Sequence, residues 1–87
     1  YFMIMDIHVL RKRLSIRSWR RGTKELDLIL GRFSDTNLSS LELDQLDLYE
    51  QLLANDDHVI HGWLFGKEEG PRTFAGIIKQ IQESMYQ

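Results

Sequence analysis

Residues 18–27, SWRRGTKELD, hold the densest grouping of side chains able to act on another molecule. Arg17, Arg20, Arg21 and Lys24 bring cations to Gly22, and Glu25 follows with a carboxylate. A guanidinium makes planar, two-pronged contacts to carboxylates or carbonyls. Glycine presents no side chain, so another backbone can approach closely there. Trp19 among arginines has the composition of an interface hot spot, though it also suits a core. Arg21 and Glu25 are four apart, so the plain alternative is a pair bridging the helix junction, worth about 0.3–0.5 kcal/mol in solvent. A second grouping is DDHVIH, with His58 and His61 three residues apart behind Asp56 and Asp57. Such a set can ligate a metal, but a helix cap followed by two surface or partly buried histidines explains it better. The expectation is that no metal site exists.

Other chemistry is poorly supplied. The sequence has no cysteine, which removes disulfides, thiolate ligands and thiol nucleophiles and favours a reducing compartment. Gly66 and Gly70 flank charged residues, not a strand-to-helix phosphate turn. An enzyme needs a nucleophile with a base, a metal or paired carboxylates in a cleft, and the candidates for these are thin.

The 87 residues suffice for one small domain, and 43% are hydrophobic; a core of that size is thin. The net charge of −2 conceals an asymmetry. Arg11, Lys12, Arg13, Arg17, Arg20, Arg21 and Lys24 are seven of the eleven basic residues, and none lies between Phe33 and Gly66. That stretch carries Asp35, Glu42, Asp44, Asp47, Glu50, Asp56 and Asp57, so the chain is a charge dipole. A nucleic-acid-binding or regulatory module using the basic first helix is the alternative reading. The low pI of about 5.9 and the lack of a second helix rich in base-reading residues oppose it, and no nucleic-acid partner is expected. YFMIMD is too short to span a membrane and lacks the charged start of a signal peptide. Residues 1–6 are read as a flexible lead-in or cloning remnant, and residues 7–87 as one domain, a monomer without membrane insertion.

The elements that must position these residues are helical. Apolar spacing follows a helical period almost throughout, and no segment reads as a strand. The pattern predicts an all-α fold, a compact bundle of about five short helices. The first runs from about Ile7 to Arg20, with Leu10, Leu14 and Arg17 or Ser18 on one face. Gly22 ends it, because glycine tolerates positive φ. Thr23 caps the second helix, whose apolar face is Leu26, Ile29, Leu30 and Phe33, and Glu25 stands in its first turn, where the dipole favours a carboxylate. SSLE predicts a capping box of Ser39 and Glu42 before a third helix reaching Ala54, with Leu46, Tyr49, Leu52 and Leu53 buried. Asp57 is the expected cap of a fourth helix carrying Ile60, Trp63 and Leu64, with Trp63 in the core. Pro71 suits the first turn of a fifth, with Phe74, Ile77, Ile78 and Ile81 as its apolar residues.

RRGTKELDLILGRF (20–33) followed by LLANDDHVIHGWL (52–64) resembles the small flavinylation-factor family of succinate dehydrogenase, comprising bacterial assembly factors and their mitochondrial relatives. The family motif Arg-Gly-x-x-Glu is matched by Arg21, Gly22, Thr23, Lys24 and Glu25, and a later Asn-Asp…Trp pattern by Asn55, Asp56 and Trp63. The resemblance covers Arg11 to Leu64, and the helix after Pro71 fits the family's variable last part. It implies an assembly chaperone that binds the flavoprotein subunit of succinate dehydrogenase, in some bacteria also that of fumarate reductase, and promotes covalent attachment of FAD. FAD then belongs to the client, and none is held stably by the chaperone. Arg21, Gly22 and Glu25, with Arg20, are implied to face the partner; a protruding arginine and glutamate with a glycine notch would suit that role, and Arg17 and Trp19 extend the surface. With no visible targeting extension, the expected location is the bacterial cytoplasm ahead of a mitochondrial matrix.

Overall fold

In the computed structural model, which describes residues 6–85, the chain turns helical at its first capped residue. Asp6 accepts from the His8 N–H at 2.9 Å and starts helix α1, Ile7–Trp19. Asp6, assigned above to the lead-in, is thus the N-cap of α1; residues 1–5 of that lead-in lie outside the described residues. Thr23 caps α2, Lys24–Asn37, as expected, its hydroxyl accepting from Leu26 N–H at 3.2 Å. A 3-10 turn, Leu38–Ser40, leads to α3, Leu43–Leu53; α4 is Asp57–Leu64, and a second 3-10 turn, Arg72–Phe74, precedes α5, Ala75–Ser84. No strand occurs among the described residues, so the all-α bundle of five short helices stands.

Two caps differ from expectation. The N-cap of α3 is Glu42, with Gln45 Oε1 accepting from its N–H at 3.4 Å, and Ser39 lies in the 3-10 turn. Burial decides this: Leu38 and Leu41 are both in the core, which winds the intervening serines into a turn and delays the helix. Arg11 secures that turn, donating from Nε to Leu38 O at 2.8 Å and from Nη2 to Leu41 O at 2.9 Å. The N-cap of α4 is Asp56, one residue before the expected Asp57.

The core takes one stripe from each helix: Leu10 and Leu14 from α1; Leu26, Leu30 and Phe33 from α2; Leu46, Tyr49, Leu52 and Leu53 from α3; Ile60, Trp63 and Leu64 from α4; Ile77, Ile78 and Ile81 from α5. Ile29 and Phe74 are only partly buried and pack against this cluster. α1 and α2 form an antiparallel hairpin closed by residues 20–23. Where α1 meets α3, Ser18 and Tyr49 are both buried. The Ser18 hydroxyl donates to Leu14 O at 2.7 Å. Ser18 Oγ and Tyr49 Oη lie 2.6 Å apart, and either hydroxyl can donate. Burial pushes the Tyr49 phenol well above its ordinary range, against smaller opposing effects of the Ser18 hydrogen bond and the charges of Arg21 and Arg17. Among the described residues no helix is long and apolar enough to cross a membrane.

Candidate functional site

The α1–α2 turn is held by the start of α4. Asp57, freed from capping its own helix, reaches across and accepts from Arg21 Nε at 2.8 Å and from the Gly22 backbone N–H. The remaining guanidinium nitrogens donate to Leu53 O at 2.8 Å and Asn55 O at 2.9 Å. These are carbonyls at and just beyond the C-terminus of α3, where a cation meets the negative end of the helix dipole. Asp27 accepts from the Arg21 backbone N–H at 2.6 Å. Arg21 thus joins the α1–α2 turn, the end of α3 and the start of α4, and its side chain is only 12% exposed. The expectation of a protruding Arg21 is corrected: its two-pronged contacts go to its own chain.

Gly22 is exposed, and its φ is not positive; Gly66 is the sole glycine with positive φ among the described residues. The reason for glycine at 22 is space. A Cβ there would run into the Asp57 carboxylate, whose position Arg21 fixes. The alternative, a pair between Arg21 and Glu25, does not form. Glu25 Oε1 meets His61 Nε2 at 2.7 Å, and the Glu25 side chain is 57% exposed. His61 stacks on Phe65 with ring centroids 4.3 Å apart. Gly22, Glu25, Asp57, His61, Lys67 and Glu68 are among the walls of an open cleft of about 640 Å³.

The other expected site residues lie along α1. Arg20 and Trp19 are exposed, and Arg17 is half-buried. Arg17 and Arg13 both reach Glu50, at 3.4 and 3.2 Å. The Trp19 indole lies against Gly31, where a Cβ would penetrate the ring, and donates to Asp35 Oδ1 at 3.2 Å. One indole face is therefore packed on α2 and the residue remains 37% exposed. Among the described residues no group of three or more His, Asp or Glu is placed to hold a metal ion; Asp57 turns to Arg21 and His61 to Glu25.

Sequence reading missed the parts of Asp57, Asp27, His61 and Gly31. For Asp57 and His61 a signal exists in retrospect. They are four apart on one helix face, and they meet Arg21-Gly22 and Glu25 respectively.

The clamp and the exposed glutamate beside it are the most distinctive features of this small all-helical domain. The comparisons specify the class. Residues 12–85 match the family described as the flavinator of succinate dehydrogenase. The chain is 39% identical over 80 residues to the mitochondrial succinate dehydrogenase assembly factor 2 of Dictyostelium discoideum, covering 91% of this chain and 57% of that protein. It is 35% identical over 63 residues to the FAD assembly factor SdhE of Legionella pneumophila (strain Lens), covering 72% of this chain and 80% of the relative. A match of 35% over 65 residues is found with the FAD assembly factor SdhE of Coxiella burnetii (strain RSA 493 / Nine Mile phase I), covering 74% and 79%. The chain belongs to the succinate dehydrogenase flavinator family, the family of assembly factors to which the sequence resemblance pointed. It spans little more than half the length of the Dictyostelium relative.

Proposed function

We propose that this protein binds the flavoprotein subunit of succinate dehydrogenase and promotes covalent attachment of FAD to it, acting as a chaperone and not as a catalyst. FAD remains with the client and is not held stably by this chain. The flavoprotein of fumarate reductase, a related client, is proposed as a second partner. The observation carrying this reading is the division of labour within Arg-Gly-x-x-Glu. Arg21 is spent internally on holding the turn, and Glu25 stands exposed beside Gly22 at the first turn of α2. Beyond its favourable place at a helix start, the Glu25 carboxylate lines an open cleft with Gly22, where a partner can reach it. A carboxylate at a helix start is pre-placed to receive an arginine or a backbone amide of a partner loop. Binding of this kind favours the ordered form of that loop over its alternatives, and positioning of the reacting groups is enough to accelerate a bond-forming step. Arg20, Trp19 and Arg17 extend the proposed contact surface along α1.

Nucleic-acid binding is the weaker reading. Of the seven cations at the basic start of the chain, Arg11, Arg13, Arg17 and Arg21 already serve carbonyls or carboxylates of the chain itself, which leaves Lys12, Arg20 and Lys24 there to neutralise phosphates.

The test is in-gel fluorescence of covalent flavin on the flavoprotein subunit in cells lacking this protein, complemented with wild type, Glu25→Ala or Gly22→Arg. Wild type should restore the signal, and folded Glu25→Ala should not. A full flavin signal without the protein would remove the proposal for that client.

A further inference from the structure

α4 touches both halves of the Arg-Gly-x-x-Glu motif. Asp57 holds the first half through Arg21 and the Gly22 N–H. His61, one helical turn later, meets the second half through Glu25. Asp57 and His61, four residues apart on α4, thus meet Gly22 in the α1–α2 turn and Glu25 in the first turn of α2. Asp57 is embedded in the clamp, but His61 lies at the open side of the cleft, with 30% of its side chain exposed.

We infer that His61 is a positioning residue that fixes the Glu25 carboxylate for the partner. The inference rests on the reading of Glu25 as partner-facing. Glutamate has three side-chain torsions, and an exposed one samples many rotamers. The 2.7 Å contact from His61 Nε2 to Glu25 Oε1 selects one of them and engages one oxygen. The second oxygen, Oε2, is left to receive a donor from the flavoprotein. His61 is itself held, because its ring stacks on Phe65 at 4.3 Å with 29° between planes. This gives a role to Phe65, which is otherwise an exposed aromatic, 42% accessible. Lys67 and Glu68 border the same cleft, but the direct contact to Glu25 comes from the imidazole. A ring nitrogen on a stacked ring is a stiffer guide than a lysine amine on four methylenes. Pre-ordering one long side chain saves roughly 1 kcal/mol on association, equivalent to about a fivefold change in Kd.

The experiment measures binding of purified flavoprotein subunit by titration calorimetry to wild type, His61→Phe and His61→Gln, with a thermal melt of each. Phenylalanine keeps the stack on Phe65 and removes the donor. Glutamine keeps a donor at a similar reach. The expected result is about fivefold weaker binding by His61→Phe at an unchanged melting temperature, with His61→Gln close to wild type. Equal binding by wild type and His61→Phe would overturn the inference and leave the proposed function standing. Loss of binding in both variants together with a lowered melting temperature would make His61 a structural residue and overturn it as well. Failure of wild type to bind would overturn the proposed function and this inference with it.

Discussion

Arg21, Gly22 and Glu25 are adjacent in the chain but carry different burdens. Arg21 satisfies the carbonyls of Leu53 and Asn55, at and just beyond the end of α3, and the Asp57 carboxylate from a site that is 12% exposed. Removing one partner of such a set leaves the others unpaired. Arg21→Lys should therefore lower stability by roughly 2–3 kcal/mol, since an ammonium cannot span the three acceptors. A urea titration checks this, and an unchanged midpoint would contradict the clamp. Glu25→Ala removes only an exposed pair and a favourable dipole contact. Its cost should stay below about 1 kcal/mol in the same titration, while flavinylation is lost. Gly22→Ala should cost about 1–2 kcal/mol by displacing the Asp57 carboxylate. The motif residues were legible in the sequence as a unit, but their roles were not. The acceptors of Arg21 lie 32 to 36 residues away, and two of them are carbonyls, which every residue has and no sequence pattern marks.

At the scale of elements, the apolar stripes were readable because each helix buries a face repeating at helical period. Leu46, Tyr49, Leu52 and Leu53 on α3 and Ile77, Ile78 and Ile81 on α5 are such sets. Thr23 was readable because capping is local. Ser39 misled because burial of Leu38 and Leu41 outweighed a local capping signal. The contact of α1 with α3 has its own signature in Tyr49. Its folded-state pKa is raised above the ordinary value of 10.0 by burial. The phenol therefore contributes stability that is complete below about pH 10 and declines as pH rises further. Tyr49→Phe should cost about 1 kcal/mol at neutral pH and flatten that alkaline decline, as read from melts between neutral and strongly alkaline pH; an equally steep decline in the variant would refute the assignment. The α1–α2 contact rests on Gly31. Alanine in a helix interior ordinarily gains about 1 kcal/mol over glycine, but here it must displace the Trp19 indole. Gly31→Ala should be destabilising and should shift Trp19 emission to the red, measured in a Trp63→Phe background.

At the scale of the molecule, the basic start and acidic middle of the chain are partly folded onto each other. Arg13 and Arg17 meet Glu50, and Arg21 meets Asp57. The charge dipole seen in the sequence is thus spent in part on packing α1 against α3 and α4, and it advertises a nucleic-acid surface less than the raw count of cations suggests. What remains outward is the cleft beside the α1–α2 turn, with Glu25 among its walls, and the exposed Trp19 and Arg20 at the end of α1. This surface is proposed to accelerate flavin attachment on a client. The most direct measurement is a time course of covalent flavin incorporation into purified, flavin-free succinate dehydrogenase flavoprotein subunit supplied with FAD, with and without an equimolar amount of this protein. The expected result is faster incorporation with wild type and none of that acceleration with folded Glu25→Ala. Identical progress curves with and without the protein would contradict the claim.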